Sequence, residues 1–152
     1  MRRSRSGYTI VEMVVVLILF AVLTALSIPR LHGAQSSAGL RSARTQTAIY
    51  LAQAHALAIQ RGREARFVRS GNTISVTVDS SGTQVVYGRQ HDLSSEHDVI
   101  IPSATQDMIS FDARGFATNI NTVAVVVLTR DGMRDSVCVA KIGKIITRGC
   151  SL

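Results

Sequence analysis

The sequence predicts an α+β protein in which a long N-terminal helix, apolar in its first part and amphipathic in its second, packs on an antiparallel β-sheet or β-sandwich domain. Three observations carry this. A run from Tyr8 to Ile28 is apolar apart from one carboxylate, Glu12, and a few hydroxyls. Leu40, Ala43, Thr47, Tyr50, Ala54 and Leu57 then recur at spacings of three and four, which is one face of a helix. After Gly62 the period of the pattern changes from 3.6 to 2 and turn residues appear at short intervals.

The apolar run comes first in the chain. At the helical rise, its 21 residues cover about 31 Å, the thickness of a bilayer's hydrocarbon core. Arg2, Arg3 and Arg5 precede it and favour a cytoplasmic N-terminus by the positive-inside rule. The run is longer than a signal-peptide core and no A-x-A-like site follows it; the small residue, Gly7, stands ahead of it. Glu12 lies inside the run. A carboxylate in a membrane helix costs about 2.5–3.5 kcal/mol on insertion scales, so it marks a functional position with a partner to be named. The plainer reading of Glu12 is a side chain that snorkels to the membrane edge.

Arg-Ser-Gly followed by Tyr-Thr-Ile-Val-Glu resembles the class III signal of type IV pilins and type II secretion pseudopilins. With Tyr8 as the first mature residue, Glu12 takes the fifth position and Pro29 the twenty-second, where many pilins carry proline. The resemblance implies cleavage after Gly7 by a prepilin peptidase, N-methylation of Tyr8, and pairing of Glu12 with the terminal amine of a neighbouring subunit. An amine and a carboxylate in lipid are each costly and offset one another as a pair. It also implies a single-pass protein of the bacterial inner membrane, with a cytoplasmic N-terminus and a periplasmic C-terminal domain, passing from the bilayer into a filament. The implied partners are other pilin or pseudopilin subunits, the prepilin peptidase and an inner-membrane assembly platform.

The expected organisation is a leader over 1–7, a transmembrane segment over 8–29, an amphipathic continuation over 30–62 and an all-β domain over 63–152. Pro29 lacks an N–H and should bend or locally melt the helix, and Gly33 and Gly39 loosen the turns that follow. Gly62 stands where a glycine ends a helix. Ala65–Arg69, Thr73–Asp79 and Thr83–Tyr87 read as a meander, with Gly71-Asn72 and Ser80-Ser81-Gly82 as turns. Arg89–Asp98 reads as a polar loop and Val99–Ile101 as a short strand ended by Pro102. Val123–Leu128 is almost continuously apolar, which suggests a strand that is buried on both faces or central, and Asp135–Lys141 with Lys144–Thr147 suggests a closing hairpin about Ile142-Gly143.

This order, with Phe111-x-x-x-Gly115 and the strand-Gly-strand of Val137–Ile146, resembles the GspH/FimT group of minor pseudopilins and minor pilins. The resemblance implies a structural subunit of a type II secretion pseudopilus or type IV pilus-like filament. The alternative it carries is a FimT-like minor pilin that binds DNA for uptake, through Lys141, Lys144 and Arg148. Those residues belong to a basic stretch that also holds Arg130 and Arg134 and is interrupted by Asp131 and Asp135. Solvated strand faces are the bland account of the same residues.

Charge and composition add limits. The full chain carries +7, but the leader holds three of the seventeen basic residues, so the mature chain has fourteen against ten acidic ones, a net +4. That value does not by itself indicate nucleic acid. The only cysteines are Cys138 and Cys150. An oxidising compartment favours a bridge between them, although a tight turn at Ile142-Gly143 would place Cys150 three residues beyond the partner of Cys138; the alternative is a buried Cys138 and a free Cys150. His91-Asp92 and Glu96-His97-Asp98 cluster in the polar loop without the spacing of a metal site. No catalytic constellation, cofactor motif or metal ligand set stands out, and an enzyme is not expected.

Overall fold

The computed structural model describes the backbone of residues 9–102, 106–147 and 150, and the side chains of these except 26–32. Gly7, Tyr8 and Arg148 lie outside the described residues, and Pro29 is described only as backbone. Contacts divide the chain into a unit of residues 1–35 and a unit of residues 36–152. Helix α1, Ile10–Arg61, runs through both. It is one continuous helix through Pro29, so of the two outcomes expected there, a bend or local melting, melting does not occur.

In the first unit, every large apolar side chain from Ile10 to Leu23 is at least 43% exposed in the isolated chain, on all sides of the helix. A helix that is apolar all round has no preferred face to turn inward and needs an apolar surrounding. Among the described residues no helix is long and apolar enough to cross a membrane. The described apolar side chains stop at Ala25, ahead of Leu26, Ser27 and Ile28, which complete the run in the sequence.

In the second unit, α1 is amphipathic. Leu40, Ala43, Thr47, Tyr50, Ala54 and Leu57 are all buried, joined by Leu51 and Ala58. Thr47 hides its hydroxyl by donating to the Ala43 carbonyl one turn back, at 2.8 Å. Gly62 ends the helix with φ +60: its N–H donates to the Ile59 carbonyl and the Arg63 N–H to the Ala58 carbonyl, a double closure that satisfies the last turn.

The β domain holds two antiparallel sheets. β1 (Ala65–Ser70), β2 (Thr73–Ser80), β3 (Thr83–Asp92) and β4 (Met108–Phe111) form the first, in spatial order β3-β2-β1-β4. β5 (Val123–Arg130), β6 (Met133–Ala140) and β7 (Ile145–Ile146) form the second, in chain order. Ile74, Val76 and Val78 of β2 face the core together with Ala65 and Phe67 of β1, as alternation requires. Two-residue turns join these strands. Ser81-Gly82 and Asp131-Gly132 have both residues at positive φ, the conformation whose twist suits a hairpin. A single apolar core draws on α1 and on both sheets.

Four expectations change. The segment Arg89–Asp98 is ordered structure: β3 extends to Asp92, and Leu93–His97 form a short helix, α2. Asp92 caps it by accepting the Ser94 N–H at 2.9 Å, and Leu93 fills the core. Val99–Ile101 contributes one bridge, between Ile100 and Thr129, in place of a strand. Val123–Leu128 is in an edge strand: Ala124, Val126 and Leu128 are buried while Val125 and Val127 are only half-buried, and β6 takes the centre. The last hairpin turns through three residues, Lys141, Ile142 and Gly143, with Ala140 bonded to Lys144. Cys138 therefore pairs with Ile146, one residue away from the pairing a two-residue turn would give.

Candidate functional site

The N-terminus of α1 carries a cap that sequence reasoning passed over. Thr9 precedes the helix, and its hydroxyl accepts the Glu12 N–H at 3.3 Å, while its carbonyl accepts the Met13 N–H at 3.2 Å. Thr-x-x-Glu ahead of an apolar run is the capping-box pattern, and it was legible in the sequence. Glu12 sits in the first turn, at the positive end of the helix dipole, where a carboxylate is favoured. It is exposed, between Val11 and Met13, which are 72% and 57% exposed. The geometry is that of a carboxylate on an otherwise apolar rod, in the first turn beside the cap.

A second cluster ties α1 to the β domain where the helix first becomes buried. Ser36 donates to Asp131 at 2.5 Å. Arg130 lies across Gly39, donates to the His97 carbonyl at 2.6 Å, and is 3.6 Å from both Asp98 and Asp131. A Cβ on Gly39 would collide with the Arg130 guanidinium. The glycine therefore admits a side chain and does not break the helix. Arg44 takes Asp135 at 2.9 Å, with both side chains about a fifth exposed.

These pairings redistribute the basic C-terminal stretch. Arg130 and the two aspartates that interrupt the stretch in sequence are engaged near α1. Lys141 and Lys144 are exposed on the closing hairpin. The structure sets a different loop beside them: the Ala117 N–H donates to the Lys141 carbonyl at 2.9 Å, which brings Arg114 and Phe116 to the same end of the domain. A cleft of about 420 Å³ is lined by Asp112, Arg114, Phe116, Ala117, Thr118 and Lys141. Phe116 is 44% exposed, with the Arg114 guanidinium 5.7 Å from its ring centre. Asp112 organises the loop by accepting the N–H groups of Phe116 and Arg114 at 2.8 and 3.0 Å. Partial desolvation works against ionisation, but these donors and the Arg114 guanidinium hold the Asp112 carboxyl below the usual carboxylate range.

His55 of α1 joins the two glycine elements. Its ring meets Phe111 edge-on at 5.6 Å between centres. A Cβ on Gly115 would lie 2.6 Å from its Nε2, and one on Gly143 would lie 2.7 Å from it and collide with the Gly115 carbonyl. Phe111-x-x-x-Gly115 and the Gly of the closing hairpin thus act at one contact against the helix. Beyond that hairpin, Cys138 and Cys150 are joined, with Cα atoms 6.0 Å apart. His91 and Glu96 form a 2.7 Å pair, and among the described residues no group of three metal-ligating side chains occurs.

Comparison with known proteins adds two findings. Residues 2–28 match the family model of the prokaryotic N-terminal methylation motif. The described fold is similar to that of the Pseudomonas aeruginosa PAO1 type IV minor pilin FimU in two crystal forms. The TM-scores are 0.61 and 0.59, at 18% identity, over 72% of this chain and 88% and 93% of the other. Among curated proteins, no sequence match is found. The chain therefore carries a class III prepilin N-terminus ahead of an α+β domain with the fold of a type IV minor pilin, and it resembles the minor pilins and pseudopilins.

Proposed function

We propose that this chain is a non-enzymatic structural subunit, a minor pseudopilin of GspH-like role in a type II secretion pseudopilus or a related type IV pilus-like filament. The observation that carries the reading is the first unit: a capped helix, apolar on every side, with Glu12 projecting from its first turn. Such a surface is stable only in lipid or among other helices like it, and a carboxylate there is best met by the amine of another copy's N-terminus. The methylation motif and the minor-pilin fold support the same reading. In this proposal the peptidase cuts between Gly7 and Tyr8, Tyr8 is methylated, and Glu12 sets subunit register. The helix spans the inner membrane until assembly, with the β domain in the periplasm, where a Cys138–Cys150 bridge is at home. Co-expression with a prepilin peptidase and intact-mass measurement tests it. Loss of residues 1–7 with an added methyl group is expected; an uncut chain, or a cut after Ala25 or Ala34, refutes it.

A second reading, DNA binding of the FimT-like kind, is favoured by one observation: Arg114 and exposed Phe116 stand beside Lys141, so a cationic and aromatic surface forms from two loops. Phosphates would meet Arg114, Lys141, Lys144 and Arg148, and a base could stack on Phe116.

A further inference from the structure

The edges of the two sheets are treated differently. The outer edge of β4 is closed by Thr118 and Asn119: the Asn119 side chain accepts the Ser110 N–H at 2.8 Å and donates to the Met108 carbonyl at 2.7 Å. β7 is only two residues long, and β5 is held at Thr129 by Ile100. β3 is the other edge of the four-stranded sheet, and among the described residues no strand lies on its outer side. Exposed edges are normally guarded by charge, proline or a bulge. In β3 the bulge comes late, at Gly88–Gln90 opposite Ser75, where Tyr50 donates to the Arg89 carbonyl at 2.7 Å. The stretch before it, Thr83-Gln84-Val85-Val86-Tyr87, has neither charge nor proline.

Both faces of this stretch are open as well. Val85 and Tyr87 point toward the helix side of the sheet yet stay 52% and 40% exposed, and Val86, on the other face, is 47% exposed. A groove of about 460 Å³ runs between them and the end of α1, lined by Arg61 and Arg63 and floored by Val78. Arg61 lies 5.5 Å from the Tyr87 ring centre, and Arg63 has no carboxylate partner among the described residues. Asp79, the one acid in the groove, already accepts the Gly82 N–H at 2.9 Å.

We propose that the Thr83–Tyr87 edge is a docking site for an extended acidic segment of another protein, which adds as a strand beside β3 and sets its carboxylates against Arg61 and Arg63. The two-residue turn closed by Ser80 and Thr83 fixes the alternation of the ladder: Gln84 and Val86 turn their N–H and C=O groups outward, free to bond the added strand. Alternate residues of that strand face the helix side, where the arginines are, and the others meet Val86. The occupant is thus a segment in which carboxylate and apolar side chains alternate.

The test uses the full chain in detergent micelles and two labelled peptides, one of alternating valine and glutamate and one of alternating valine and lysine, read by fluorescence anisotropy. The acidic peptide is expected to bind about tenfold more tightly than the lysine peptide, with the difference shrinking as salt rises. Val86→Pro removes an outward N–H while leaving the β2 ladder bonds in place, and it should abolish binding without lowering the thermal midpoint. The double reversal Arg61→Glu with Arg63→Glu should invert the preference, and it decides the matter even where the proline variant is less stable. Equal binding of the two peptides, no binding of either, or undiminished binding to both variants overturns the proposal. So does self-association of the chain that Val86→Pro abolishes, or an oligonucleotide that competes for the groove as well as the acidic peptide.

Discussion

Gly143→Ala is the substitution on which the account of the β domain can be weighed. Gly143 has φ +81, in the left-handed region where a Cβ costs about 1–2 kcal/mol. It is also crowded: the added methyl would collide with the Gly115 carbonyl and lie 2.7 Å from His55. Overpacking of this kind costs a further 1–3 kcal/mol or so, giving roughly 2–5 kcal/mol in all. Gly132 supplies the control, because its φ of +78 is nearly the same but nothing lies within 4 Å of its Cβ position. Gly132→Ala should therefore cost only the conformational part, about 1–2 kcal/mol. Urea unfolding of both variants and the parent, followed by circular dichroism in one detergent, measures the difference. His55→Ala placed in the Gly143→Ala chain should recover part of the loss, since one of the two obstacles is then gone. Equal costs for the two glycine substitutions would refute the close meeting of the hairpin, the Gly115 turn and α1.

Three further outcomes are expected. Glu12→Ala should leave insertion and processing intact, because it makes the helix more apolar, yet cut incorporation into filaments; wild-type assembly in a pull-down of sheared filaments would return Glu12 to the role of a snorkelling side chain. Reduction of Cys138–Cys150, which closes a separation of 12 residues, should lower stability by about 2–3 kcal/mol, and non-reducing mass mapping should find the two joined in periplasmic material. Acid should loosen the domain through Glu64 and Asp112. Glu64 is lowered chiefly by its hydrogen bond to Arg66, and Asp112 by the donors of its loop, against its desolvation. With folded pKa values depressed, their contribution is present above the ordinary carboxylate pKa and is lost as pH falls through the lowered folded values, and amide exchange at Phe116 should rise in that window.

What is local and periodic was legible along the chain. The helical face from Leu40 to Leu57 was legible because each of its residues obeys one spacing, and burial follows from that spacing alone. The meander was legible because period-two alternation and glycine turns are written within a few residues of one another. The prepilin N-terminus needed no tertiary information, since length, apolarity and one misplaced carboxylate define it, and Thr9 stood there as a cap to be read. Features that depend on residues far apart in the chain emerged only on folding. Val123–Leu128 looked central because all six of its residues are apolar, yet strand rank is set by which neighbours pair, and pairing is not encoded in one strand. Gly39 looked like a weak point of the helix until Arg130, ninety-one residues on, was seen to need the space. The basic C-terminal stretch divided in the same way, Arg130 going to α1 and Lys141 to Phe116, because Arg130 lies at the β5–β6 turn and Lys141, eleven residues on, lies past the far end of β6.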